Sequence, residues 1–227
     1  MDLTYTIHRS AKRRKLTITV ERDCSVVVHA PVGISDEMIR QVVESKRRWI
    51  YEKTGQSQKY RGLPHPPGKE LVSGESALYL GREYRIEIVK TGLADVQFAR
   101  RFLVPETLVE KRRDALKEWY LIKAKEKIVP RVKVHARELG VDVAKVKIVD
   151  NRYRWGSCTL NDNVNLNWRL IKAPMFVIDY IIVHELAHLI EANHTPRFWN
   201  IVHAHAPTMD KARAWLKENG RLLEQAI

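Results

Sequence analysis

HELAHLIEANH, residues 184–194, puts three histidines and two glutamates into eleven positions directly after the apolar run MFVIDYIIV of residues 175–183. On a helix, residues four apart lie one turn above each other on the same face, so His184 and His188 can aim two imidazoles at a single ion. Glu185 lies about 100° round from His184, beside such an ion, where it can hold and deprotonate a water. One zinc ion suits this pattern: three protein ligands leave a fourth position open for water and lower that water's pKa to roughly 7. The competing reading is a core helix that happens to carry histidines. Phe176, Ile178, Ile181, Ile182, Leu186 and Leu189 make the segment strongly apolar, so its histidines and Glu185 would be buried or nearly so. Ionisable groups placed there without partners are costly, and coordination removes that cost.

The third protein ligand has four candidates in Glu191, His194, His203 and His205. Glu191 shares the helical face, but it lies about 10.5 Å along the axis from His184 at 1.5 Å per residue, too far for comfortable convergence. His194 is better placed. Asn193 can end the helix, and Thr195-Pro196 reads as a cap followed by a first-turn proline, so His194 sits at a corner from which the chain can fold it back. His203 and His205 fall on or after the next helix and read as peripheral or surface residues. His8, His29, His65 and His135 have no partner at ligand spacing.

Upstream, VKIVD (146–150) and NVNLNWRL (163–170) read as strands, separated by RYRWGSCTLND, whose glycine, asparagine and aspartate suit a turn. Arg152 and Arg154 are candidate contacts to an oxyanion or a phosphate, since guanidinium groups suit both. Asn167 is a further candidate for substrate or oxyanion contact. Trp155 and Gly156 read as a tight packed turn, and Cys158 as a small buried hydrophobe.

HELAHL, the third histidine in NHTPRFW, and the upstream segments RWGSC and NLNWRLI together resemble the YgjP-like zinc metallopeptidase family, a relative of the SprT, Spartan and WLM proteases. The similarity covers most of the chain, with four segments in the right order. It implies a zincin-like fold, zinc held by His184, His188 and His194, and Glu185 as catalytic base. The long spacer before the third histidine of SprT and Spartan is absent. In zinc peptidases of this kind an edge strand before the motif helix pairs with an extended peptide. The resemblance suggests NVNLNWRLI, residues 163–171, for that role; the plainer reading is a core strand.

The remaining sequence predicts an α+β protein: a β-rich N-terminal module with one helix over residues 1–104, and a zincin-like domain of helices with a small sheet over 105–227. Leu16, Ile18, Val20, Val26 and Val28 alternate as in a hairpin turning at Arg22-Asp23. Ser35 can cap a helix with Asp36 and Glu37 in its first turn and Ile39, Val42, Val43, Lys46, Trp49 and Ile50 along its inner side. Residues 55–74 read as a long loop, LYLGREYRIEIV as a second hairpin turning near Gly81-Arg82, and VQFARRFLV as a further strand pair. From Thr107 a basic helical segment runs to Leu139 with Leu116, Trp119, Ile128 and Val132 inward, Pro130 as a kink or break, and Gly140 as a stop.

With 227 residues and 44% hydrophobic content, the chain can build a core without metal or disulfides. Two cysteines in unrelated contexts, Cys24 and Cys158, give no disulfide framework, and no signal-like or membrane-spanning run is visible. A cytoplasmic protein is expected. The net charge of +13 favours anionic partners, although a solvated basic surface explains it equally well. The leading reading is a zinc-dependent peptidase acting on a protein or peptide. The alternatives are a metal-dependent nucleoside triphosphate pyrophosphatase and a DNA-associated role; the absence of a nucleic-acid motif weakens the last.

Overall fold

Val26, Val28 and Ala30 alternate with half-buried residues along β3 (Val26–Pro31), which makes β3 the inner strand of a small sheet. β2 (Thr17–Val20) pairs with it antiparallel, and β1 (Thr6–Ser10) pairs parallel on its other side. The described residues of this computed structural model are 3–11, 13–20, 25–57, 70–90, 92–151, 154–159 and 161–224. Arg22-Asp23 and most of the expected 55–74 loop therefore lie outside them.

Ser35 caps α1 (Asp36–Ser45), its hydroxyl accepting from the Met38 N–H. The single helix expected through Ile50 is divided. Lys46 leaves helical geometry at φ −102° and ψ 8°, and α2 (Arg47–Ser57) begins after it. The break re-phases the apolar stripe, so Ile39, Val43 and Ile50 are buried while Trp49 is turned out to solvent.

β4 (Ser76–Tyr79) and β5 (Arg82–Val89) form a hairpin whose turn residues Leu80 and Gly81 both have positive φ, 49° and 80°, a tight-turn geometry suited to the twist of paired strands. The Leu80 and Gly81 N–H groups donate to the carbonyls of Ile171 and Lys172, each at 2.9 Å. A Cβ on Gly81 would stand 2.5 Å from Pro174 Cγ, so only glycine lets the hairpin seat against the approach to the motif helix. β6 (Gln97–Phe98) and β7 (Phe102–Pro105) complete a four-stranded sheet in the order β4-β5-β7-β6. Tyr79 and Phe102 each meet Trp119 edge to face at 5.0 Å. Residues 71–104 thus share one core with the C-terminal helices. The chain divides into the units Met1–Pro66 and Pro67–Ile227, not at 104/105; the change in composition near Thr107 marks the approach to a helix.

After a 3-10 helix over Glu106–Lys111, α3 (Arg112–Leu139) buries Leu116, Trp119, Ile128 and Val132 and ends at Gly140 in the left-handed region, φ 68° and ψ 33°. Pro130 does not break it. Proline inside a helix costs about 3 kcal/mol, and the burial of Ile128 and Val132 on either side offsets that cost. A three-stranded sheet follows in the order β8-β10-β9, from β8 (Lys145–Val149), β9 (Gly156–Cys158) and β10 (Asn163–Asn167). A 3-10 helix over Trp168–Lys172 leads into α4 (Met175–Ala187), followed by α5 (Pro196–His205) and α6 (Met209–Glu224). Asp179 of α4 is bridged by Arg131 and by His135 Nε2 at 3.3 Å, both from α3. The architecture is mixed α+β, small sheets set among helices. Among the described residues no helix is long and apolar enough to cross a membrane.

Candidate metal centre

α4 is buried almost from end to end because Val177, Ile178, Ile181, Ile182, Val183 and Leu186 leave it little polar surface. His184 and Glu185 stand in its last turn. His188 follows as the cap residue with near-helical geometry, φ −66° and ψ −18°. The helix ends at Ala187 rather than Asn193: the N–H groups of Leu189 and Ile190 reach back only three residues, to Leu186 and Ala187, each at 3.0 Å. That tightened turn leaves 191–195 to reverse direction. Thr195 then caps α5, its hydroxyl accepting from the Phe198 N–H at 3.3 Å, with Pro196 in the first turn. Thr195→Ala should cost about 1 kcal/mol and lower Tm by about 2–4 °C for a chain of this size, measured calorimetrically on metal-free protein.

The corner brings His194 onto the pair. One ligand nitrogen from each of His184, His188 and His194 lies within 4.8 Å of the other two, and the Nε2 atoms of His184 and His194 are 3.2 Å apart. Tetrahedral zinc with bonds of about 2.0–2.1 Å separates two ligand nitrogens by roughly 3.3 Å. The histidine set therefore fits zinc in donor type and spacing. Burial, then the neighbouring imidazoles, push the His184 pKa down to about 4, and burial and His194 also lower His188. Both are thus held neutral, the form that ligates. His188 Nδ1 lies 3.4 Å from the main-chain oxygen of Glu191; a proton there leaves Nε2 free for a metal. Glu191 enters the site through its carbonyl. Fully buried Phe198 backs the cluster, its ring 4.5–5.0 Å from all three imidazoles.

Glu185 is buried, and burial lifts its pKa to about 7 against the opposing pull of Arg154. β9 supplies its seat. A Cβ on Gly156 would stand 2.6 Å from both Glu185 Cγ and Oε1, so the carboxyl occupies the space that any other residue would fill.

The strand within the expected 163–171 edge is β10, the central one, with β8 and β9 on either side, so that edge is not available. The edge is β9. Trp155 C=O accepts from Asn167 at 2.8 Å and Thr159 N–H donates to Asn163 at 3.0 Å, which fixes the alternation: residues 155, 157 and 159 face β10, while Gly156 and Cys158 turn their main-chain groups outward. Asn167, a candidate substrate contact from sequence, is buried and committed elsewhere. Its amide donates to the carbonyls of Asn151 at 2.5 Å and Arg154 at 3.0 Å, and its oxygen accepts from the Arg169 N–H. It clamps the loop that presents Arg154, which is exposed with its charge reaching Glu185. Arg152 lies outside the described residues.

His203 and His205 sit on α5 outside the cluster. Two neighbours of the site carry no signal in the motif. Tyr180, one turn before His184, packs edge to face on its ring at 5.9 Å, and Arg213 of α6 contributes positive charge at both His184 and Tyr180.

Three imidazoles at ligand spacing, with a buried carboxyl on the helix that carries the first of them, are the apparatus of a metal-dependent hydrolase. The chain belongs to the YgjP-like metallopeptidase family, whose domain model matches residues 14–219, and is a metallopeptidase-like hydrolase. Among solved structures, the metallopeptidase zymogen of Methanocaldococcus jannaschii jannalysin is 21% identical, with 42% of this chain and 97% of that one covered at a TM-score of 0.37. The metallopeptidase zymogen of Pyrococcus abyssi abylysin is 18% identical, with 44% and 99% covered at a TM-score of 0.35. No curated protein matches the chain.

Proposed function

We propose that the protein is a zinc-dependent peptidase in which Glu185 is the general base. The observation that carries this is a buried carboxyl, Glu185, next in the chain to the first of three converging imidazoles and kept basic by its burial. Zinc held by His184, His188 and His194 would supply a Lewis acid for the scissile carbonyl and an acidified water. Glu185 takes the water's proton at a carboxyl oxygen and delivers it to the leaving amine. Arg154, exposed near Glu185, is the candidate donor to the oxyanion. The outward main-chain groups of Gly156 and Cys158 suit an extended peptide added to the β9 edge, which gives affinity without demanding a particular sequence.

A nucleoside triphosphate is the second candidate substrate, favoured by Arg154 and by the net charge of +13. Zinc-loaded protein incubated in parallel with a denatured protein and a nucleotide panel separates the two. New amino termini are expected. Release of phosphate or pyrophosphate with no new termini would replace the peptidase reading with the phosphohydrolase one. Chelation should abolish activity in either case, and added zinc should restore it.

A further inference from the structure

Arg213 differs from the other well-placed arginines of its unit. Arg131 is bridged to Asp179 and Arg169 to Asp150, whereas Arg213 forms no ion pair among the described residues. Asp210, one turn earlier on the same helix, does not pair with it. Its guanidinium instead lies over Trp199, Cζ 5.2 Å from the ring centroid. Trp199 in turn stacks on His194, with centroids 5.5 Å apart and 28° between the planes. A guanidinium resting on an aromatic face keeps its N–H donors in one plane and open at the rim, the geometry that takes a carboxylate bidentately. Exposed on α6, it can meet a ligand without rearrangement of the core.

We propose that Arg213, seated on Trp199, is a carboxylate-recognising subsite beside the histidine cluster, and that preferred substrates carry a carboxylate close to the bond that is cut. This rests on the peptidase reading. Steps of 5.2 and 5.5 Å through the Trp199 ring join the guanidinium to the His194 ring, so the two are no farther apart than about three residues of extended chain at roughly 3.4 Å each. The carboxylate has two sources, a free C-terminus or an Asp or Glu side chain within that reach.

Two peptide series distinguish them. One consists of alanine-rich hexapeptides ending in a carboxylate or in an amide. The other is amidated throughout, with a single Glu or Gln walked along the chain. Binding is measured by calorimetry to zinc-loaded Glu185→Gln, which serves as a non-turnover trap, and kcat/KM is measured on zinc-loaded wild type. The carboxylate-bearing member of at least one series should bind about tenfold more tightly than its neutral partner, the scale of one charge-assisted hydrogen-bond pair. Arg213→Ala in the same background should erase that difference, and Arg213→Lys should retain part of it. The series that shows the preference names the source. Equal binding of charged and neutral peptides, no binding at all, or a preference that survives Arg213→Ala overturns the subsite. Preferential binding without cleavage of any peptide by wild type overturns the peptidase reading and leaves the subsite standing; cleavage with no preference does the reverse.

Discussion

Glu185→Gln is expected to keep its zinc and lose turnover by about 10²–10⁴-fold, the range over which a positioned general base contributes. The amide has the shape of the carboxyl and fits the gap left by Gly156, and none of the three clustered histidines is altered. Metal content by elemental analysis should equal that of wild type, while kcat collapses. A variant that cleaves at the wild-type rate would remove Glu185 from the chemistry. The same substitution has a signature independent of activity. Burial raises the folded pKa of Glu185 from 4.5 to about 7, so this group's contribution to stability is present below pH 4.5 and is lost as pH rises through about 7. Glutamine has no such loss. The Tm of metal-free Glu185→Gln should therefore gain on that of metal-free wild type between about pH 5 and about pH 8; a gap that narrows with rising pH would contradict the buried, uncompensated carboxyl.

How much of this was legible in the sequence depended on the distance over which each feature is encoded. The face shared by His184 and His188 follows from helical periodicity alone, and the return of His194 from a cap and a proline placed next to it. Both are local. β9 was not legible: three residues containing glycine, between Trp155 and Thr159, look like a turn, and only pairing with β10 makes them a strand. The same pairing moved the edge beside the motif helix from the expected 163–171 to 156–158. Asn167 was read as a polar group near the site, which it is by position, but its bonds to two carbonyls of the preceding loop are tertiary and leave no trace in spacing. Arg213 reaches Trp199 from a helix that begins four residues after α5 ends, at Met209, and nothing in its own neighbourhood distinguishes it from other surface arginines. The module boundary failed for a related reason. Residues 76–105 form strands that look self-sufficient, yet their aromatic side chains fill the core against α3.

Gly156→Ala should lower kcat by about 10²-fold, the scale of loss from misplacing a reacting group by an ångström, without removing zinc. The added methyl would meet Glu185 Cγ and Oε1 at 2.6 Å and Cδ at 2.8 Å. One of the two partners has to give way. The strand is pinned on its inner side, with Ser157 opposite Asn165 and the Trp155 carbonyl accepting from Asn167 at 2.8 Å, whereas the carboxyl end of Glu185 turns about its own side-chain torsions. The carboxyl therefore moves, and the histidines of the cluster do not. Gly156 has no positive φ, so alanine there adds no backbone strain, and its effect should be confined to the carboxyl it displaces. Unchanged zinc stoichiometry, a Tm within a few degrees of wild type and a lowered kcat are the expected combination. Wild-type kcat would show that the carboxyl has room to spare. Loss of zinc together with activity would show that β9 supports the histidines as well as Glu185.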